Sequence, residues 1–242
     1  MGAMSDALFD RPPAQVAPGA VHVPGWLPAR VQADLVRRCR DWARGPAGMR
    51  RHAMPRGGTM SVRTVSLGWH WSPGPNPHAE RRGAGEPGPA RRRQPYSYAR
   101  ALPDGTPVQP FPDLLGDLAA RAVEAAYGTP PGPGADPYDV ALVNFYDADA
   151  RMGMHQDRDE LSGEPVVSLS LGDTCVFRFG NTETRNRPHT DVELRSGDLF
   201  VFGGPSRMAY HGVPRTRPGT APPALGLEGR LNITVRASGL RG

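Results

Sequence analysis

His155 and Asp157, separated by a single residue, form a pair that could bind a metal ion. In an extended segment, residues two positions apart project from the same face, so the imidazole and the carboxylate could coordinate one cation. Iron(II) is commonly held by two histidines and one carboxylate, which leaves coordination positions open for reactants. His211, which follows the predicted strand Leu199–Phe202, could supply the second histidine. The sequence therefore indicates a metal site made of His155, Asp157 and His211.

The same short pattern occurs again at His189 and Asp191, so the spacing alone is a weak signal. A jelly-roll fold must place several strands between the first ligand pair and the later histidine. Residues 158–210 can hold these strands, whereas the segment between Asp191 and His211 is too short. His189 and Asp191 are therefore interpreted as incidental. The histidines outside the proposed site are predicted to lie in solvated loops: His22, His52, His70, His78 and His189.

Two predicted strands carry polar side chains on one face. Strict alternation assigns these residues to the polar faces: Asn144 and Tyr146 on one strand, and Arg230, Asn232, Thr234 and Arg236 on the other. Either strand alone could be an ordinary strand with a solvated face. Together they predict a pocket for an anion.

The elements that would position these residues are two helices followed by a series of strands. Apolar residues three or four apart predict an amphipathic helix over Leu27–Arg44. A second helix is predicted to begin at Phe111-Pro112-Asp113 and to end at Gly128. Strands are predicted at Tyr138–Tyr146, Pro165–Leu171, Thr174–Phe179, Asp191–Leu194, Asp198–Phe202 and Arg230–Arg236. This order predicts a mainly β protein with flanking helices (α+β) and a jelly-roll, or double-stranded β-helix, core.

Composition and charge restrict the class of protein only coarsely. The chain of 242 residues has 30 Gly and 28 Pro, which favours short strands and many turns, and its net charge of +5 suits a polyanionic partner. Every basic residue is an arginine, however, and a GC-rich genome would explain that equally well. Cys39 and Cys175 are expected to be reduced and buried. No long apolar run or signal peptide is recognised, so we expect a cytoplasmic protein without membrane contact.

Several ordered motifs together resemble the AlkB family of Fe(II)- and 2-oxoglutarate-dependent dioxygenases, over residues 140–236. The motifs are Asn144-Phe145-Tyr146, His155–Glu160, Val167–Gly172, Gly203-Gly204, His211-Gly212 and Arg230–Arg236. The resemblance implies that His155, Asp157 and His211 bind Fe(II) and that 2-oxoglutarate and O2 take the open positions. It assigns Arg230 to the distal carboxylate of 2-oxoglutarate, with Tyr146 beside it. The residues implied to hold the end nearer the metal are Asn144, Asn232 and Arg236, and Thr234 is a further expected contact of the cosubstrate.

The resemblance also implies an activity, namely oxidative demethylation of nucleobases of the 1-methyladenine or 3-methylcytosine type. 2-Oxoglutarate would be decarboxylated to succinate and the methyl group released as formaldehyde. The implied partner is alkylated single- or double-stranded DNA, and RNA is a further candidate. The implied substrate contacts are Met60, Trp69, Tyr96 and Asp159, with Trp71 as an alternative to Trp69 for stacking on a flipped base.

One compact unit with three regions is expected, and it is expected to be a monomer. The regions are a flexible tail (1–20), an N-terminal helix with a nucleotide-recognition lid (21–110) and the catalytic jelly roll (111–242). Within the lid, residues 72–95 are rich in Pro, Gly and Arg and are predicted to form an exposed loop. Two alternatives remain open: an oxygenase acting on a modified tRNA base, a protein or a small metabolite, and a non-enzymatic β-sandwich that binds nucleic acid.

Overall fold

The computed structural model describes residues 11–53, 57–73 and 96–240, and in it two antiparallel sheets face each other. The larger sheet has seven strands, which lie in the spatial order β1 (Ala14–Ala17), β2 (Ala20–Val23), β11 (Leu199–Phe202), β8 (Val166–Gly172), β13 (Arg230–Arg236), β6 (Val140–Tyr146) and β3 (Arg63–Leu67). The smaller sheet has four, in the order β10 (Thr190–Leu194), β9 (Thr174–Phe179), β12 (His211–Arg217) and β7 (Met152–His155). The predicted jelly-roll core is confirmed.

Two helices cover the outer face of the larger sheet. They are α1 (Ala29–Arg44) and α2 (Asp113–Tyr127), and both begin after a proline, at Pro28 and Pro112. α2 ends at Gly128, which has a positive φ of 75° and closes the last turn. The helices bury their apolar faces against alternate residues of the sheet, including Leu231, Ile233 and Val235 of β13. Both helices agree with the sequence prediction to within two residues.

A second apolar cluster fills the space between the two sheets. Phe200 of β11 lies 4.8 Å from Phe177 of β9, measured between ring centroids, and Phe202 lies 5.5 Å from Phe179. The alternation along β13 directs the polar residues predicted from the sequence into this inner space. The fold therefore has three layers, and one end of the space between the sheets is polar.

A short hairpin extends beyond the two main sheets. It consists of β4 (His70–Pro73) and β5 (Tyr96–Ala99), which pair antiparallel with Trp71 opposite Tyr98. Most of the predicted Arg-rich loop, residues 74–95, lies outside the described residues.

Several expectations are corrected. Residues 14–17, predicted as part of a flexible tail, form β1 and pair with β2, because the edge of the larger sheet offers backbone hydrogen-bond partners. Residues 1–10 lie outside the described part. His22, His52 and His70 are buried rather than solvated, His189 is half-buried and His78 is not described. Short length concealed β2, β4 and β7, and Pro214 concealed β12, from periodicity.

Cys39 and Cys175 are free and buried, as expected. Within residues 11–53, 57–73 and 96–240, no helix is long and apolar enough to cross a lipid bilayer.

Candidate active site

Strand pairing brings the two candidate histidine ligands together. β7 and β12 are neighbours, and His155 lies directly opposite His211, with 4.5 Å between the ring centroids. Asp157 follows β7, and its two carboxylate oxygens each lie 3.7 Å from the Nε2 atom of one histidine. The potential ligand atoms of the three residues all lie within 4.8 Å of one another. These distances leave room for one metal ion among them.

Hydrogen bonds to the backbone orient both imidazoles toward this point. Nδ1 of His155 lies 3.0 Å from the carbonyl of Gly153, and Nδ1 of His211 lies 3.0 Å from that of Ala209. A carbonyl only accepts, so each Nδ1 carries the proton and each Nε2 keeps a free lone pair. This tautomer is the one that binds a metal through Nε2.

The charges around Asp157 favour its ionised form. Burial opposes ionisation, but Arg236 Nη2 lies 2.8 Å from Asp157 Oδ1 and holds the pKa of this carboxyl well below its usual range. Burial lowers the pKa of His211 to about 4, so its imidazole is neutral near pH 7. Oδ2 of Asp157 is buried without a hydrogen-bond partner among the described residues. An unpaired buried acceptor beside two imidazole lone pairs is the environment that a divalent cation satisfies.

Arg230 presents a second unsatisfied charge, at the opposite end of the polar face of β13. Its side chain is among the largest fully buried ones, at 1 % exposure, and its Nε and Nη1 atoms have no partner among the described residues. Nη2 donates to Ser170 Oγ over 3.2 Å, and the guanidinium lies 4.9 Å from the centre of the Tyr146 ring. A carboxylate entering this space would accept the unused donors in a forked arrangement. The residues present therefore fit 2-oxoglutarate.

Between Arg230 and Arg236, the side-chain amides of Asn144 and Asn232 are oriented by hydrogen bonds. Asn232 Nδ2 donates to Ser168 Oγ over 2.8 Å, and its Oδ1 accepts from Thr234 Oγ1 over 2.9 Å. Asn144 Nδ2 lies 3.4 Å from the same oxygen, across the β6–β13 register. Ser168 and Ser170 were not identified from the sequence as site residues, although they alternate along β8 in the same way.

A cavity of about 450 Å³ connects these groups. Its walls include the three candidate metal ligands, the six residues predicted to hold 2-oxoglutarate, and two of the four predicted substrate contacts, Met60 and Asp159. Tyr96 lies in β5, but its side chain is not described. His189 and Asp191, the incidental copy of the pattern, do not line this cavity.

Trp71 lines the cavity, whereas Trp69, the residue predicted to stack on the base, does not. Trp69 Nε1 donates to Asp139 over 2.9 Å, and the Arg100 guanidinium lies 3.7 Å from its ring centre, so Trp69 is occupied outside the cavity. Gly68, with a φ of 79°, turns the chain between β3 and β4, so alternation cannot be extended across it. The sequence alone therefore does not show which of the two tryptophans, Trp69 or Trp71, faces the cavity.

Trp71 also holds Asp159, because its Nε1 atom donates to Asp159 Oδ2 over 2.8 Å. Burial raises the pKa of Asp159, and the indole hydrogen bond opposes that rise. The carboxylate and the indole thus form one unit of the cavity wall.

A buried network links the hairpin to the metal ligand. Glu160, whose side chain is 1 % exposed, accepts from Tyr98 over 2.6 Å and pairs with Arg207 at 3.1 Å and Arg236 at 3.4 Å. Arg207 also donates to the carbonyl of Asp157 over 2.6 Å. The sequence gives no signal that Tyr98, Glu160 and Arg207 meet, because they lie far apart along the chain.

Comparisons with known proteins agree with this geometry. A model of the family described as the 2OG-Fe(II) oxygenase superfamily matches residues 19–236. The Escherichia coli protein named alpha-ketoglutarate-dependent dioxygenase AlkB is 32% identical over 98% of this chain and 99% of its own length. An Arabidopsis thaliana protein named DNA N(6)-methyladenine demethylase ALKBH1C is 31% identical over 91% of this chain but 49% of its own. The chain thus spans about half the length of that relative. The solved structure of OsALKBH1 is 32% identical and superimposes with a TM-score of 0.74, covering 93% of this chain and 99% of the other.

Proposed function

Since the chain belongs to the AlkB family of the 2OG-Fe(II) oxygenase superfamily, we propose that it oxidatively removes methyl groups from nucleobases. The observation that carries this proposal is the cavity in which the His155, Asp157 and His211 cluster adjoins the unpaired guanidinium of Arg230. When bound, Fe(II), 2-oxoglutarate and O2 supply the oxidising chemistry that yields succinate, carbon dioxide and a hydroxylated methyl group, which leaves as formaldehyde.

The residues of the chain bind, orient and shield the reactants. His155, Asp157 and His211 would hold the metal through two Nε2 atoms and one carboxylate. Arg230 would hold the distal carboxylate of the cosubstrate, and Arg236 balances the charge of Asp157 at 2.8 Å. Apart from the partly exposed His155, these groups are buried between two sheets. The attraction of the buried arginines to a bound anion is therefore stronger than it would be in water.

The nucleobase would be held by Trp71 and Asp159. Stacking on an aromatic side chain contributes about 1–3 kcal/mol per base and tolerates any base, because every base has a π face. Asp159 would accept a hydrogen bond from an exocyclic amine, a group that adenine and cytosine both possess. A base inside a duplex must be flipped out to reach such a pocket, which favours single strands or bases whose pairing is already broken.

Three exposed arginines on the cavity wall favour nucleic acid over a protein or a small metabolite as substrate. They are Arg151, Arg158 and Arg185. Guanidinium groups around a cavity mouth can contact the phosphates that flank a flipped nucleotide, and each contact would release a counterion. We propose that a monomer acts on single-stranded DNA first, with RNA as a further substrate.

Removal of the methyl group of N6-methyladenine is the second candidate activity, and the printed name of the Arabidopsis relative favours it. Here the methyl group is on the exocyclic nitrogen, whereas in 1-methyladenine it is on the ring. The two substrates therefore require different orientations of one purine in the same cavity.

A panel of oligonucleotides of one sequence tests these proposals. Each carries a single 1-methyladenine, 3-methylcytosine or N6-methyladenine, as single-stranded DNA, duplex DNA or RNA, and mass spectrometry follows the loss of the methyl group. We expect the fastest loss from single-stranded DNA with a ring-methylated base, and none in the His211→Ala variant. Preference for N6-methyladenine would favour the second candidate, and succinate formation without any methyl loss would contradict both.

A further inference from the structure

His52 is a buried histidine in the cavity wall that has no part in metal or cosubstrate binding. It precedes β3 on a short ladder, where its carbonyl accepts from the backbone nitrogen of Met60 over 2.9 Å. Its side chain is 8 % exposed and lines the same cavity as the candidate metal ligands. Backbone pairing thus holds His52 opposite Met60, and both residues line the cavity.

The imidazole of His52 packs against the Trp71 ring in a T-shaped arrangement. The centroids of the two rings lie 5.7 Å apart with an interplanar angle of 79°. Behind it, His70 lies 5.5 Å away and is held by Ser66 Oγ at 3.3 Å from its Nδ1 atom. Burial lowers the pKa of His52, and the charge of Arg50 adds to that effect. The imidazole is therefore neutral near pH 7 and offers one hydrogen-bond donor and one acceptor.

Trp71 consequently has a polar group on each of two sides. His52 contacts its ring, and Asp159 accepts from its Nε1 atom over 2.8 Å. Across residues 11–53, 57–73 and 96–240, no side-chain hydrogen bond of His52 is observed. A base stacked on Trp71 would place its polar edges within the zone that His52 and Asp159 line.

We propose that His52 is a specificity-determining residue that hydrogen-bonds the nucleobase stacked on Trp71. This inference rests on the proposed function, and it adds a recognition group that the family resemblance does not assign. The ligand class is an N-methylated purine or pyrimidine with a nitrogen or amine at its edge. A neutral imidazole suits such a base, because ring methylation of adenine or cytosine gives a cation that a charged histidine would repel.

The alternative role of His52 is to support Trp71 by packing alone. His52→Met keeps a side chain of similar length but removes hydrogen bonding, and His52→Gln keeps a donor and an acceptor. Packing alone predicts equal losses in the two variants, or a smaller loss in His52→Met. Recognition predicts that His52→Gln retains more binding than His52→Met. His189→Gln is the matched control, since His189 lies outside this cavity.

The test is equilibrium binding without turnover. The protein is loaded with Mn(II) and N-oxalylglycine, and the dissociation constants for a 3-methylcytosine oligonucleotide and its unmodified counterpart are measured by fluorescence anisotropy. We expect His52→Met to weaken binding of the methylated strand about 3- to 10-fold, as for one lost hydrogen bond. Binding of the unmodified strand should change little, and His52→Gln should lie between His52→Met and the wild type.

Two results would overturn the inference. One is an unchanged preference for the methylated strand in His52→Met, and the other is a loss in His52→Met that is no larger than the loss in His52→Gln. If the wild-type protein itself does not distinguish the two strands, the inference fails, whereas the proposed function is decided separately by methyl loss from the oligonucleotide panel. Thermal unfolding of each variant verifies that its fold is retained.

Discussion

Two buried arginines, Arg230 and Arg236, determine much of the chemistry of the cavity. Arg236 is compensated by Asp157 and Glu160, whereas Arg230 has a hydrogen bond to a serine hydroxyl and a ring face as its neighbours. A buried charge without a counterion destabilises the fold unless a ligand supplies that counterion. We interpret Arg230 as a residue whose partner is the cosubstrate.

Replacing Arg230 by methionine should separate stability from binding. We expect Arg230→Met to leave the ligand-free protein as stable as the wild type or more stable, because an apolar side chain of similar length needs no counterion. Binding of 2-oxoglutarate to the Mn(II) form should weaken by about 2–5 kcal/mol, which is at least roughly 30-fold. Urea unfolding and calorimetric titration measure the two effects. A large loss of stability with unchanged 2-oxoglutarate affinity would contradict this assignment.

The assignment of Trp71 to base stacking gives a second prediction. Trp71→Ala should raise the KM for methylated single-stranded DNA by about 5- to 100-fold, corresponding to the loss of one stacked base. The KM for 2-oxoglutarate should change little. Trp69→Phe retains a ring beneath Arg100 and serves as the control. Equal effects of both substitutions on the DNA KM would show that Trp71 has no special role.

The sequence predicts the residues of this site where alternation or short spacing brings them together. The polar face of β13 and the His155 and Asp157 pair follow from a period of two. Contacts between distant segments have no such period. The Tyr98 to Glu160 hydrogen bond joins residues 62 positions apart, and His52 meets Trp71 only because the hairpin folds over it.

Asp198 connects the N-terminal strands to the core through hydrogen bonds. It is fully buried at the start of β11, and its carboxylate accepts from Arg11 over 2.8 Å, from the ring of His22 over 3.0 Å and from the backbone of Gly25 over 2.9 Å. Burial would raise the pKa of Asp198, but these hydrogen bonds lower it to about 2. The ionised carboxylate therefore stabilises the folded protein.

This stabilisation should depend on pH in a defined direction. The folded pKa lies below the value of about 3.9 in the unfolded chain, so the contribution is complete above pH 4 and is lost as pH falls toward 2. We expect Asp198→Asn to lower the free energy of unfolding at pH 7, with a pH-dependent part of about 2.6 kcal/mol. Urea unfolding of wild type and variant should show the difference shrinking below pH 4.

Asp191→Asn removes an exposed ion pair with Arg178 and serves as the control. It should cost less than about 1 kcal/mol. A difference between wild type and Asp198→Asn that is the same at pH 3 and pH 7 would contradict the role of the Asp198 charge.

Elements with a clear apolar pattern are predictable from the sequence, and strands without one are not. Both helices and the strands β6, β8, β9, β10, β11 and β13 were found to within about two residues. The missed strands are β1, β2, β3, β4, β5, β7 and β12. Five of them have four residues each, and a strand that short stands out only when, like β11, it is wholly apolar. Pairing with a neighbouring strand, rather than their own sequence, stabilises them.

At the scale of the whole molecule, the jelly roll holds the ligands of one cavity on different strands. The candidate metal ligands come from the smaller sheet and the segment after it, whereas the residues for 2-oxoglutarate come from the larger sheet. Ligands bound between the sheets would therefore connect the two layers. Binding to the folded state alone raises its stability by mass action.

Adding the metal and a 2-oxoglutarate analogue together should raise the stability of the folded protein by a measurable amount. At concentrations about 100 times the dissociation constant, one ligand adds roughly 2.7 kcal/mol. We expect Mn(II) with N-oxalylglycine to raise the Tm of the wild type more than either does alone. In His155→Ala the increase should be small, because the metal loses a ligand. Scanning calorimetry tests this, and equal Tm increases in both proteins would place metal binding elsewhere.

The proposed function requires that this chain couple 2-oxoglutarate decarboxylation to removal of a methyl group from a nucleobase. The most direct measurement is the ratio of succinate formed to methyl groups lost, for the Fe(II)-loaded protein in air with single-stranded DNA containing 3-methylcytosine. We expect about one succinate per methyl group lost, with no loss when iron or 2-oxoglutarate is omitted. Methyl loss that persists without either component, or succinate formation unaffected by the methylated strand, would contradict it.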